Sequence, residues 1–207
     1  MVEEKDLNLV GIIMAGGTGT RFWPLSTEEK PKQFLNLFGD RSLLQKSYDR
    51  ILPVIKPERI LILTNKNFVG LVKEQLPQLP DENIIGEPQK RDTAAAVTLA
   101  ALLCKKKFKN SVMAILTADH LIEPGESFRK ILISAAKEAE KENILYTVGI
   151  NPAYPATAYG YLELGERVYM GGGIKHYKLL GFKEKPGLDE ARKYLEAGNY
   201  YWNSGIF

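Results

Sequence analysis

Three glycines, an arginine and two lysines fall within "GGTGTRFWPLSTEEKPKQF", residues 16–34, directly behind the apolar run "LVGIIMA". Gly16, Gly17 and Gly19 carry no Cβ, so the backbone there can take positive φ and bring successive amides close around an anion. Arg21 adds a planar fork of donors and Lys32 a compact point charge. A polyphosphate is the ligand this mixture suits. Lys30 reads as solvent-facing, and Trp23 as a loop tryptophan packing the lid, with stacking on a base as the alternative. A second chemical position is Asp119, just beyond the apolar run "VMAIL", where a strand-tip carboxylate can hold Mg²⁺. Its bland alternative is to cap the following turn, and His120 beside it reads equally as support for a metal ligand or as a loop residue. With two histidines and one cysteine in the chain, no nucleophile–base triad suggests itself.

Three readings of the glycine stretch compete. A Walker loop needs Gly-Lys followed by Ser or Thr, and the chain has no such triplet. A dinucleotide fingerprint needs a third glycine where Arg21 stands and a helix after it, whereas Trp23-Pro24 and Lys30-Pro31 keep the backbone irregular. A plain glycine-rich turn with incidental charges is the third.

These residues need a scaffold. Short Ile/Leu/Val-rich runs at 9–14, 59–64, 83–86, 111–116 and 144–149 read as strands. Amphipathic stretches at about 42–52, 66–76, 92–107 and 127–142 read as helices between them. Ser42, Asn65 or Asn67, Asp92 and Ser127 stand where N-caps are wanted. The alternation predicts an α/β, Rossmann-like fold with a mixed, mostly parallel central sheet flanked by helices, and the glycine loop at the carboxyl end of the first strand is where such sheets bind ligands. After about residue 150 the chain turns aromatic and proline-marked. "YGYLELG" and "IKHYKLLGF" alternate as strands with "MGGG" as their turn, and "LDEARKYLEAG" reads as a helix ending in Gly198. These elements are expected to extend the first sheet, giving one domain over 1–207 in two halves, 1–150 and 151–207. "YYWNSGIF" reads as the opening of a further strand, which suggests truncation at the C-terminus.

Composition narrows the classes. A 44% hydrophobic chain of 207 residues can bury a core. Its 28 basic and 25 acidic residues are too evenly mixed for a nucleic-acid binder driven by counterion release. Cys104, the lone cysteine, sits in the helical run "TAAAVTLAALLC" and reads as core in a reducing compartment. No run reaches the ~20 apolar residues of a membrane span, and the expected location is the cytoplasm. "KKKFK" at 105–109 reads as a solvated helix end.

The full string Gly-Gly-x-Gly-x-Arg, Pro-Leu-Ser, Lys-Pro-Lys-Gln resembles the signature of the nucleoside-diphosphate-sugar pyrophosphorylases. "FWPLS" and "KPKQF" look most like the mannose-1-phosphate guanylyltransferase branch of that family. The resemblance continues through "GEPQKRDTAAA" (86–96), "LTADH" (116–120), "AYGYLELG" (158–165), "FKEKP" (182–186) and "WNSGIF" (202–207).

That resemblance implies formation of GDP-mannose and pyrophosphate from GTP and mannose 1-phosphate, with Mg²⁺ as cofactor. Arg21, Lys32 and Asp119 would be catalytic, with Asp119 as metal ligand and a second aspartate expected beyond Phe207. Ala15, Gly16, Gly17, Thr18, Gly19, Thr20, Glu87, Pro88, Asp92, Thr93 and Ala94 would bind nucleotide. Gly160, Tyr161, Glu184, Lys185 and Asn203 would bind the sugar phosphate, and a homodimer is possible. Alternatives within the fold are a thymidylyl- or uridylyltransferase acting on glucose 1-phosphate, or a sugar-nucleotide-binding regulator without turnover.

Overall fold

The computed structural model describes residues 7–17, 22–89, 91–168 and 173–207. The chain divides into two compact units, Met1–Ile144 and Leu145–Phe207.

In the first unit, β1 (Leu9–Met14) lies between β2 (Ile60–Asn65) and β4 (Val112–Thr117), and β3 (Ile84–Glu87) pairs with the outer side of β2. Every pairing is parallel, with Ile12 opposite both Leu61 and Ile115. Parallel strands are covered on both faces, which is why β1 and β2 read as continuous apolar runs rather than alternating ones. One face packs on α3 (Asp92–Lys107) through Val10, Ile12, Leu61, Leu63, Ala96, Ala100 and Cys104. Burial pushes the Cys104 thiol up to about 11, as suits a packing residue. On the opposite side, a Cβ built on Gly11 would lie 2.8 Å from Ile51 Cδ1, so this glycine lets α1 (Leu43–Ile51) sit close against the strand.

Ser42 caps α1 as expected, in a capping box with Gln45, and Asn65 accepts the amide of Asn67 where the chain turns into α2 (Val69–Gln75). Asp92 and Ser127 do not cap. Asp92 is the first residue of α3, in the left-handed region with φ 58°, and α4 (Gly125–Glu142) begins two residues ahead of Ser127, after Pro124. Proline with its fixed φ sets that start instead of a hydroxyl. Lys105–Lys107 end α3, where Lys107 also reaches Glu82 at 3.7 Å.

The run at 144–149 does not form a fifth parallel strand. Asn143 ends α4 at φ 52°, and the strand that follows is short, Gly149–Ile150 (β5), antiparallel to β8 (Tyr200–Asn203). In the second unit, β5, β8, β6 (Tyr161–Val168) and β7 (His176–Lys183) form their own antiparallel sheet in the order β5-β8-β6-β7. The later strands therefore do not extend the first sheet. Burial along these strands does not alternate: Tyr161 and Leu162 of β6 are both buried, and Leu179, Leu180 and Phe182 of β7 are all exposed. α5 (Leu188–Ala197) ends at Gly198 with φ 72°, and its Ala191 and Tyr194 pack on Tyr161. Among the described residues, no helix is long and apolar enough to cross a membrane.

Candidate functional site

The carboxyl ends of the parallel strands surround a cavity of ≈ 270 Å³. The ladder continues past β1: Ala15 N–H donates to the Leu63 carbonyl at 2.7 Å, and Ala118 N–H donates to that of Met14 at 3.0 Å. This extension fixes the starts of both the glycine loop and the Asp119 segment. Of the expected nucleotide residues, Ala15, Gly16, Gly17, Glu87, Asp92 and Thr93 line the cavity, together with Lys32 and Asp119. Pro88 and Ala94 do not, since the lining at the start of α3 comes from Arg91 to Thr93 and then from Ala96 one turn on. Thr18, Gly19, Thr20 and Arg21 lie outside the described residues, as do residues 170–172 of the expected "MGGG" turn.

Lys32 Nζ lies 2.5 Å from Asp119 Oδ2, and His120 Nε2 lies 3.9 Å from Oδ1. Burial alone would raise the Asp119 carboxyl, but the hydrogen bond and charge of Lys32, with His120 behind, outweigh it and hold the group below the usual carboxylate range. Burial pushes His120 down, with Arg50 and Lys32 adding to it against the opposing pull of Asp119, so the imidazole is neutral at pH 7. Burial also raises Glu87, whose carboxylate is close to Gly16: a Cβ there would meet Oε2 at 2.8 Å.

α1 helps to hold the Asp119 segment from behind. Ser47 donates to the Thr117 carbonyl at 3.3 Å, and Arg50 to the His120 carbonyl at 2.9 Å, bracketing Asp119 on both sides. Arg50 is 7% exposed and also lies 5.7 Å from the Phe128 ring, so its chemistry is directed inward. Sequence reasoning missed Ser47 and Arg50, which sit within α1 and belong to no motif. It also passed over Gln33, Asn65, Arg91 and Thr117 as lining residues. For Gln33 and Arg91 a signal existed, because both stand inside strings that already attract attention.

Among the described lining residues, the carboxylates Glu87, Asp92 and Asp119 face the cations Lys32 and Arg91. Three negative groups against two positive ones do not by themselves attract a polyphosphate, which is a reason for a cation to enter with it. Among the described residues, no group of three or more His, Cys, Asp or Glu could hold a metal alone. One ionised carboxylate completed by phosphate oxygens and water is the donor set Mg²⁺ accepts, and Asp119 fits that role.

In the second unit, Gly160, Glu184 and Asn203 come together. A Cβ on Gly160 would lie 3.0 Å from Glu184 Oε2, and Asn203 N–H donates to the Gly160 carbonyl at 2.8 Å. The Asn203 side-chain carbonyl accepts from Thr147 Oγ1 at 3.1 Å and from Gly205 N–H at 3.2 Å, which orients the amide. Lys185 Nζ pairs with Glu184 Oε1 at 2.7 Å, both side chains being well exposed. Tyr161 differs. Its side chain is fully buried and its hydroxyl donates to the Ala156 carbonyl at 2.9 Å, so the ring belongs to the core.

The chain is 44% identical over 200 residues to a mannose-1-phosphate guanylyltransferase of Salmonella montevideo, covering 95% of this chain and 42% of that protein. It is 43% identical over 203 residues to one of Escherichia coli, covering 96% and 42%. The chain thus spans less than half the length of these relatives. A crystal structure from Thermus thermophilus, described as a mannose-1-phosphate geranyltransferase, superposes with a TM-score of 0.85 at 34% identity, over 97% of this chain and 56% of that one. The pattern of conserved positions that describes nucleotidyl transferases matches from residue 10 to residue 207, and the chain belongs to the nucleotidyl transferase family.

Proposed function

We propose that the protein carrying this chain forms GDP-mannose and pyrophosphate from GTP and mannose 1-phosphate. The observation that carries the proposal is the contact of Lys32 with Asp119 at the strand-end cavity, 2.5 Å apart, beside the glycine-rich turn. The names of the two guanylyltransferase relatives support the choice of base and sugar.

The attacking group is the phosphate oxygen of mannose 1-phosphate. A phosphate monoester has its second pKa near ~6, so this nucleophile is already ionised at neutral pH and no general base is needed. The obstacle is repulsion between two polyanionic reactants, and catalysis consists of alignment and positive charge. The Gly16 and Gly17 backbone and Arg21 hold the phosphates that leave, while Lys32 turns from Asp119 toward the α-phosphate as charge develops there. Asp119 would hold Mg²⁺, whose chemistry is to neutralise phosphate oxygens as the bond to pyrophosphate breaks. Glu87, Asp92 and Thr93 border the nucleoside. Gly160, Glu184, Lys185 and Asn203 take the sugar phosphate, with Tyr161 supporting them from the core. A panel of four nucleoside triphosphates against mannose and glucose 1-phosphates, read by pyrophosphate release, tests this. Release that requires both GTP and mannose 1-phosphate supports it. Preference for dTTP or UTP with glucose 1-phosphate, or binding without release, overturns it.

A further inference from the structure

We infer that Gln33 is a positioning residue that shapes the glycine turn into a phosphate receptor before any ligand arrives. Its side chain is 2% exposed, yet it belongs to a loop rather than to a strand or long helix. Nε2 donates twice, to the Ala15 carbonyl at 2.8 Å and to the Gly17 carbonyl at 2.7 Å. Both protons of one amide are thereby spent on one three-residue stretch. Thr64 Oγ1 donates to the same Ala15 carbonyl at 3.1 Å, filling its second lone pair.

The consequence follows from peptide geometry. In a trans peptide the C=O and the following N–H point to opposite sides. Fixing the Ala15 carbonyl toward Gln33 and Thr64 turns the Gly16 N–H to the other side, and Gly16 lines the cavity. Among the described residues, neither Gly16 N–H nor Gly17 N–H meets an acceptor, so both donors are left for a ligand. Two glycines without such a clamp would sample many φ/ψ states, and ordering them would cost binding free energy at every turnover.

Gln33 is itself well anchored. It sits in the 3-10 turn Lys32–Phe34, whose Phe34 is fully buried against Phe68 at 5.7 Å between ring centroids. The Phe34 carbonyl accepts from Gln75 Nε2 at 3.0 Å. One short turn therefore presents Lys32 to Asp119 and, from the next residue, holds the glycine backbone. Chain spacing between phosphate receptor and catalytic cation is set by a single rigid piece.

This inference rests on the proposed reading of the glycine turn as the phosphate site, and the test separates the two. Gln33→Met keeps length and removes both donors, whereas Gln33→Glu keeps shape and places acceptor against acceptor. Calorimetric titrations of the protein and both variants use magnesium pyrophosphate, GTP and mannose 1-phosphate. Expected are losses of about 10-fold or more for pyrophosphate and GTP in both variants, with Gln33→Glu the worse. Mannose 1-phosphate affinity should change by less than about 2-fold. Equal losses for all three ligands, or a fall in melting temperature with affinities intact, would mean that Gln33 only supports the fold and would overturn the inference. If the unmutated protein binds neither pyrophosphate nor GTP, the reading of the turn fails and the inference with it. If it binds both and Gln33→Met binds them equally, the positioning role alone is refuted.

Discussion

The ammonium of Lys32 and the carboxylate of Asp119 are 2.5 Å apart, with side chains only 24% and 29% exposed. The cation expected near the reacting phosphate and the carboxylate expected to hold the metal thus neutralise each other in the ligand-free protein. A free lysine in such a cavity would wander and a free carboxylate would repel the nucleotide. Paired, each holds the other in position, and on the proposed reading an arriving metal–nucleotide complex would exchange one ion pair for two.

Removing the cation should therefore affect the transition state more than the ground state. Lys32→Ala is expected to lower kcat by ~10²-fold or more while the KM for GTP changes only a few-fold. The same change removes the main opposition to burial at Asp119, whose carboxyl should titrate higher by NMR. Steady-state kinetics decide the point, since a rise in KM at unchanged kcat would assign Lys32 to simple binding.

Asp119→Asn removes the ionised ligand and keeps the shape. The Mg²⁺ titration of activity should move to concentrations higher by ~10-fold or more. Lys32 would at the same time lose its partner, so a drop in melting temperature small compared with the drop in activity is expected. Superimposable metal titrations of the two proteins would take Asp119 out of the metal site.

Both titrating groups in this contact make the fold acid-sensitive in the same sense. His120 has a folded pKa below its unfolded value of about 6.5. On acidification the unfolded chain takes up that proton first, and stability is lost from about pH 6.5 down through the folded value. Asp119 is depressed below about 3.9, so its contribution is present above that pH and disappears as pH falls through its folded pKa. Melting temperatures in metal-free buffer should fall in two stages, and His120→Asn should abolish the upper one. A flat profile between pH 7 and 5 would contradict the half-buried, neutral imidazole.

Much of this was readable from residue order, for identifiable reasons. β1, β2, β3 and β4 are short runs bounded by turn chemistry, and a buried parallel strand leaves that mark in any sequence. The cavity residues Gly16, Gly17 and Asp119 were legible because each follows a strand end within a distinctive string, and Lys32 because it stands in the same string as the glycines. What escaped detection depends on tertiary placement. Ser47 and Arg50 face the Asp119 segment from a helix 70 residues away in sequence, and nothing local marks them. The apolar run at 144–149 carries strand composition, but its few paired residues serve the antiparallel sheet, and composition does not say which sheet a strand joins. Tyr161 stands inside the "AYGYLELG" string, yet its ring packs on Ala191 and Tyr194 while the adjacent Gly160 stays next to Glu184.

That last contrast gives a stability prediction. Tyr161→Phe deletes a buried hydrogen bond to the Ala156 carbonyl and leaves that acceptor without its donor, at a cost of about 1–3 kcal/mol. The KM for mannose 1-phosphate should not change. Chemical denaturation and kinetics on the same sample check both halves, and a selective rise in that KM would restore the tyrosine hydroxyl to the sugar site.

Gly160→Ala asks the complementary question. A methyl at this position would come within 2.6 Å of Phe182 Cζ and 3.0 Å of Glu184 Oε2. Phe182 is half exposed and its ring tip can swing outward, so overpacking should cost no more than about 1–2 kcal/mol. The carboxylate has less freedom to yield without consequence, because it is the group proposed to accept from sugar hydroxyls. Displacing it should raise the KM for mannose 1-phosphate by ~10-fold or more and leave the KM for GTP unaltered. The asymmetry between the two substrates is the informative quantity. If both rise together, the glycine serves the second unit as a whole, and if neither moves while a crystal structure shows Glu184 displaced, the carboxylate has no part in holding the sugar.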